Sequence, residues 1–178
     1  MKSNLTEETL SSEKIFDGYV VKLRKDKVKL PNGETSEREI VSHSGGAGII
    51  AVNEGKILLV KQFRYAYGEE LVEIPAGKID KGESPENTAR RELEEETGII
   101  AENFRLVYTI YPTPGYTNEK IYLYYADTFT KGCVHLDDNE FLNSFWLDLN
   151  VAYEMLKNGE IKDSKTIIAL QYLKNKSL

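Results

Sequence analysis

One cysteine, two histidines and one tryptophan in 178 residues exclude several common chemistries at the outset. Cys133 has no partner for an intrachain disulfide, and together with His43 and His135 it falls short of a typical structural zinc site. Neither histidine stands in a setting that completes a Ser-His-Asp or Cys-His set. No apolar run is long enough to span a bilayer and no signal peptide is recognisable, which predicts a cytoplasmic protein without a membrane partner. Positive charge is also short. With 23 Lys and Arg against 29 Asp and Glu, the net charge of −6 has the wrong sign for a general nucleic-acid surface, which relies on clustered Lys and Arg. Repeats and low-complexity tracts are missing as well. At about 40% apolar residues the chain can bury one substantial core, so length favours one domain with an N-terminal appendage.

The glycines are equally informative by what they lack. Gly45-Gly46-Ala47-Gly48 is not followed by the Lys-Ser/Thr pair of a phosphate-binding loop, and reads instead as a strand entry with close backbone packing. A regular alternation of strands and helices, the mark of a dinucleotide-binding fold, is not found. After a polar first dozen residues, expected to be frayed, Ile15 to Leu30 is β-rich and ends in a turn at Pro31-Asn32-Gly33. Strands are expected at Glu37 to Ser42, Gly48 to Val52, Lys56 to Gln62, Leu71 to Ile74, Phe104 to Tyr111, Ile121 to Ala126 and Phe141 to Leu147. Asp148 is a cap for a helix ending at Asn158-Gly159, and Asp163 or Ser164 starts a last helix. This is an α+β pattern, with a mixed sheet in a sandwich of helices. A small N-terminal antiparallel β segment (residues 1–43) precedes the main domain (residues 44–178), and so short a hairpin must pack on something else.

Against this background Gly77 to Ile99 stands out, because four glutamates crowd the last two turns of one short helix. Ser84 is a good N-cap, Pro85 suits the first helical position, and Gly98 is a natural left-handed residue after the end. Glu92, Glu94, Glu95 and Glu96 then fall at the negative end of the helix dipole, and Glu92 and Glu96 form a like-charge i,i+4 pair. Arg90 and Arg91 precede Glu94 and Glu95 in the less favourable order and offset only part of the cost. A hard divalent cation fits the deficit, since Mg²⁺ is usually held by one or two carboxylates with waters and substrate phosphates. Spacings of three and four place Glu92, Glu95 and Glu96 on one flank. Glu94 points away, Ala89 and Leu93 make the apolar stripe, and Glu83 can approach through the preceding loop. The plain alternative is a solvated acidic face.

Gly77, Glu83, Arg91-Glu92-Leu93, Glu94, Glu95-Glu96-Thr97 and Gly98-Ile99 stand at every fixed position of the Nudix box, so the chain resembles the Nudix hydrolases. The resemblance implies a metal-dependent phosphoanhydride hydrolase with Mg²⁺, or Mn²⁺, held by Glu92, Glu95, Glu96 and the backbone carbonyl of Ala76. Arg91 would orient the carboxylates. Glu83 would be either an outer metal ligand or the structural partner of Arg91.

Elements outside the box are similar to the ADP-ribose pyrophosphatases within that family. They are Gln62-Phe63-Arg64, Glu73-Ile74-Pro75-Ala76-Gly77, and Tyr111-Pro112-Thr113-Pro114-Gly115-Tyr116. The resemblance makes Arg64 a diphosphate clamp and Glu73 a substrate-side residue. It also makes Pro114, Gly115, Tyr116 and Glu119 part of a substrate-facing loop. The segment Glu13 to His43 resembles the extra domain that these enzymes exchange across a homodimer, with Arg38 and Glu39 as nucleoside contacts made to the partner's site. Implied is hydrolysis of ADP-ribose to AMP and ribose 5-phosphate. The general base is expected from the acidic loop Asp137-Asp138-Asn139-Glu140, Glu140 before Asp138, with Glu95 as the alternative. A different nucleoside diphosphate sugar such as GDP-mannose is the second reading, and a non-catalytic nucleotide-sugar sensor the third.

Overall fold

In this computed structural model the described residues, 5–136 and 139–176, form two units. One is the chain up to Gly45 together with Tyr111–Lys120, and the other is Gly46–Ile110 with the chain from Ile121 onward.

The first unit is an antiparallel sheet of β1 (Glu8–Asp17), β2 (Lys22–Lys29) and β3 (Thr35–Ser42), in that order. β1 begins at Glu8, well ahead of the expected Ile15, and all ten of its residues are exposed. Its polar sequence carries no alternation that marks a half-buried strand. What fixes it is pairing with β2, which sets Glu8 opposite Lys29, Glu13 opposite Lys25 and Asp17 opposite Lys22. Asp26 is nearly buried and accepts from Ser12 Oγ at 2.6 Å and Arg24 Nε at 2.9 Å. The Tyr111–Lys120 segment joins the edge of β3. Val41 N donates to Tyr116 O at 2.8 Å, Asn118 N to Val41 O at 3.2 Å, and His43 N to Asn118 Oδ1 at 3.0 Å.

The second unit runs β4 (Gly46–Asn53), β5 (Lys56–Arg64), β6 (Glu69–Glu73), β7 (Ala76–Lys78), α1 (Pro85–Thr97), β8 (Ile99–Ala101), β9 (Arg105–Ile110), β10 (Ile121–Ala126), β11 (Phe129–Lys131), β12 (Leu142–Asp148), α2 (Leu149–Lys157) and α3 (Ser164–Lys176). The main sheet has the order β12-β5-β4-β10-β9, with β6 on β5 and β7 on β4. β4 and β10 are parallel and the other pairs antiparallel, so the sheet is mixed as expected. β7, β8 and β11 were not expected from the sequence; each has three residues, too few to show a period.

Two apolar layers cover the sheet. Ile50, Ile57, Leu59 and Leu123 pack with Ala152 of α2 and Ala169, Leu170 and Leu173 of α3. Ala47, Ile49, Ala51 and Leu58 pack with Ala89 and Leu93 of α1. α1 has the predicted ends: Ser84 Oγ accepts from Asn87 N at 3.2 Å, and Gly98 closes the helix at φ 66° with its N–H on Glu94 O at 2.7 Å. Among the described residues no helix is long and apolar enough to cross a membrane.

Candidate functional site

The burial of Ala89 and Leu93 against the sheet sets the rotation of α1 and turns Glu92 and Glu96 toward β7. Pairing of β7 with β4 holds the Ala76–Gly77 backbone beside them. Glu96 Oε2 accepts from Ala76 N at 3.1 Å. The Glu92 carboxylate lies directly on Gly77, where an added Cβ would stand 1.8 Å from Oε1. Residue 77 is therefore glycine because a carboxylate occupies the place of a side chain. Only 2% of Glu96 and 9% of Glu92 is exposed, so two acids are buried side by side.

Arg91 organises the outer part of the cluster. Its Nε and Nη2 each donate to Glu83 at 3.1 Å, and its Nη1 reaches Glu92 Oε1 at 2.9 Å and Glu95 Oε2 at 2.8 Å. Thr88 Oγ1 adds a 2.7 Å bond to Glu83. Both Glu83 oxygens are thus on Arg91. The bond from Arg91 lowers the Glu83 carboxyl to about 2, and the bond to Glu83 holds the Arg91 guanidinium above its already high ordinary value. Glu92 and Glu96 go the other way. Burial pushes Glu92 up to about 7 despite Arg91, and burial reinforced by the charges of Glu92 and Glu140 pushes Glu96 up to about 9.

Two buried acids facing a backbone turn, with one arginine shared among three glutamates, suit a divalent cation. Among the described residues no three carboxylate, imidazole or thiolate groups converge as a complete cage. Mg²⁺ takes one or two protein carboxylates and completes its shell with water and substrate phosphate. Glu92 and Glu96 fit this role by their burial, and the less buried Glu95 shares Arg91 Nη1 with Glu92.

Arg64 ends β5 near this cluster, and its charge works to lower the Glu96 carboxyl. It forms a fork with Glu73, Nε to Oε1 at 2.6 Å and Nη2 to Oε2 at 2.8 Å. Glu73, the other half of this fork, is the residue the resemblance set on the substrate side. It is 1% exposed and its oxygens are taken by Arg64 and Lys165. Lys165 was missed by sequence reasoning; it is 92 residues from Glu73, and its one local signal is a lysine at the start of a helix, the unfavourable end for a cation.

Glu140 is close enough to Glu92 and Glu96 for its charge to raise both carboxyls. Asp138 lies outside the described residues. In the first unit Arg38 forks onto Glu7, with Nε to Oε2 at 3.0 Å, while Glu39 is exposed and faces Lys25 across the β2–β3 ladder. Pro114, Gly115 and Tyr116 form the turn beside β3, and Glu119 Oε1 lies 3.3 Å from His43 Nδ1.

The NUDIX domain model matches residues 42–170, and the model described as nucleoside diphosphate sugar hydrolase N-terminal domain matches residues 7–41. Among characterised relatives, the methanol dehydrogenase activator of Bacillus methanolicus is 48% identical, covering 94% of this chain and 92% of that protein. The ADP-ribose pyrophosphatase of Bacillus subtilis is 44% identical over 99% and 96%, and the GDP-mannose pyrophosphatase of Salmonella paratyphi B 33% identical over 96% of each. A crystal structure of an ADP compounds hydrolase shares the fold with a TM-score of 0.85 at 19% identity, covering 99% of this chain and 98% of that one. The Gly77–Glu92 cradle and the Arg91 cluster are thus found in a chain that belongs to the Nudix hydrolase family.

Proposed function

We propose that this chain hydrolyses the diphosphate of ADP-ribose, with water attacking one phosphorus to give AMP and ribose 5-phosphate, and that Mg²⁺ serves the reaction with Mn²⁺ as a substitute. The observation that carries this reading is the buried pair Glu92 and Glu96 set against Ala76–Gly77 at the acidic end of α1. Glu92, Glu96 and the Ala76 carbonyl would hold the ion. A divalent cation in such a site supplies charge neutralisation on phosphate oxygens and lowers the pKa of water.

The protein's own groups do the remaining work. Arg91 keeps Glu92 and Glu95 in fixed orientations. Arg64, fixed on Glu73, offers its outer donors to the diphosphate. Glu140 is the general base we favour, because Glu95 is already committed to Arg91. Arg38, Glu39, Pro114, Gly115, Tyr116 and Glu119 are proposed contacts to the nucleoside, with Arg38 and Glu39 acting on the site of a second copy. A homodimer accords with the wholly exposed β1, which displays Leu10, Ile15 and Phe16. The absence of a membrane-crossing helix among the described residues accords with a cytoplasmic setting.

GDP-mannose is the second reading, supported by the full-length likeness to GDP-mannose pyrophosphatases. A non-catalytic sensor is disfavoured by the complete carboxylate set. Chromatography of products from each nucleotide sugar separates the readings. AMP and ribose 5-phosphate, formed with Mg²⁺ and not with chelator, are expected from ADP-ribose. Preferential release of GMP from GDP-mannose would replace the substrate, and binding of either without turnover would replace the enzyme.

A further inference from the structure

Lys165 occupies a place that is unfavourable for a lysine in two respects. It lies in the first turn of α3, where the helix dipole repels a cation, and it is 9% exposed. Its ammonium is satisfied by Glu73 and by Asp163 Oδ1 at 2.9 Å. Asp163 is itself held by Thr166, whose N donates at 2.9 Å and whose Oγ1 donates at 2.6 Å. Thr166 Oγ1 in turn accepts from Ile74 N at 2.8 Å. The start of α3 therefore grips Glu73 and Ile74, just ahead of Ala76, whose N–H binds Glu96.

The charges in this group balance: Arg64 and Lys165 against Glu73 and Asp163. Glu73 uses both oxygens to hold one edge of the Arg64 guanidinium, through Nε and Nη2. Among the described residues Nη1 has no hydrogen-bond partner, and the Arg64 side chain is 39% exposed. Removing the lysine would leave a net negative group around Arg64 and would let Glu73 swing toward the arginine it now shares.

We infer that Lys165 is a positioning residue for diphosphate binding: through Glu73 it fixes Arg64 with its outer edge free for an anionic ligand. The inference rests on the diphosphate reading of the site. It assigns no direct contact between Lys165 and substrate, and so differs from a plain structural ion pair in one respect. Its effect on ligand must pass through Arg64.

A double-mutant cycle reads that coupling. ADP binding is titrated calorimetrically in chelator with the full-length wild type, Lys165→Met, Lys165→Arg, Arg64→Ala and the double variant Lys165→Met/Arg64→Ala. Thermal unfolding is recorded for each. Lys165→Met is expected to weaken ADP about tenfold, the size of a hydrogen bond to a charged group, and Lys165→Arg to recover most of it. In the Arg64→Ala background the same Lys165→Met change should alter Kd less than about twofold. If Lys165→Met does not fold, Lys165→Gln takes its place in the cycle, since its amide can still donate to Glu73 without the charge.

An equal loss in both backgrounds, or wild-type affinity in Lys165→Met, overturns the inference. So does a wild type that binds no ADP at millimolar concentration. Turnover of ADP-ribose is assayed separately. A wild type that binds ADP through this coupling but does not cleave ADP-ribose would sink the proposed reaction and leave Lys165 in its role.

Discussion

The carboxylate of Glu92 is packed on Gly77 so closely that a Cβ at residue 77 would lie 1.8 Å from Oε1. The backbone cannot give, whereas the carboxylate is the far end of a flexible side chain. Gly77 belongs to β7, which is paired with β4, and Glu92 belongs to a helix whose apolar stripe is fully buried. Gly77→Ala must therefore displace the carboxylate rather than the backbone. We expect a loss in turnover of about 10- to 100-fold, the range seen when groups supporting a metal site are moved. The circular dichroism spectrum should be retained. Unchanged kcat would mean that Glu92 does not work from the position it occupies.

The Arg64–Glu73–Lys165 group predicts a pH dependence of stability. Burial works to raise the Glu73 carboxyl, but the hydrogen bonds and charges of Arg64 and Lys165 outweigh it and hold the group below its ordinary 4.5. A carboxyl lowered by folding stabilises the native state above its unfolded value, and that contribution fades as pH falls through the folded one. Glu73 therefore contributes fully at neutral pH, and its contribution begins to fall near pH 4.5 and is lost as pH drops through the lowered folded value. Lys165→Met should raise the midpoint of acid unfolding, followed by Trp146 fluorescence. A midpoint at the wild-type pH would contradict this reading.

Arg38 tests the role of the first unit. It now forks onto Glu7, and this exposed pair is worth little in stability. Arg38→Ala should leave the melting temperature within a degree or two and raise KM for ADP-ribose about tenfold, with kcat little changed. An unaltered KM would reduce Arg38 to a partner of Glu7.

The exposed strand β1 makes a prediction about assembly. Leu10 and Ile15 are about half exposed on an edge strand, at 48% and 51%. Analytical ultracentrifugation should find a dimer in the wild type, shifted toward monomer by Leu10→Asp with Ile15→Asp. A wild type that sediments as a monomer at micromolar concentration would remove the proposed trans contacts of Arg38 and Glu39.

Local chemistry made much of the site legible in the sequence. Ser84, Pro85 and Gly98 delimit α1 because capping is decided within one turn, and the spacing of Ala89 and Leu93 gave the rotation that brings Glu92 and Glu96 together. β10 was read with its observed bounds because its apolar run is long enough to be unambiguous. What escaped depends on pairing at a distance. β1 is a strand only because β2 answers its charges, and β7 is three residues held by β4. Glu73 was expected on the substrate side from the resemblance alone, and nothing near it in the chain announced its burial or its bond to Lys165 of α3. No local pattern carries such a long-range ion pair.

The most direct test of the metal centre is the Mg²⁺ dependence of ADP-ribose hydrolysis in wild type and Glu96→Gln. The amide oxygen can still accept from Ala76 N, and the amide closely matches the shape of the buried carboxyl it replaces, so the variant should fold. The account predicts Mg²⁺-saturable release of AMP and ribose 5-phosphate by the wild type, with most of that turnover lost in Glu96→Gln at every Mg²⁺ concentration. A variant with the same kcat and the same Mg²⁺ titration as the wild type would contradict the assignment of the Glu92–Glu96 pair as the centre of the reaction.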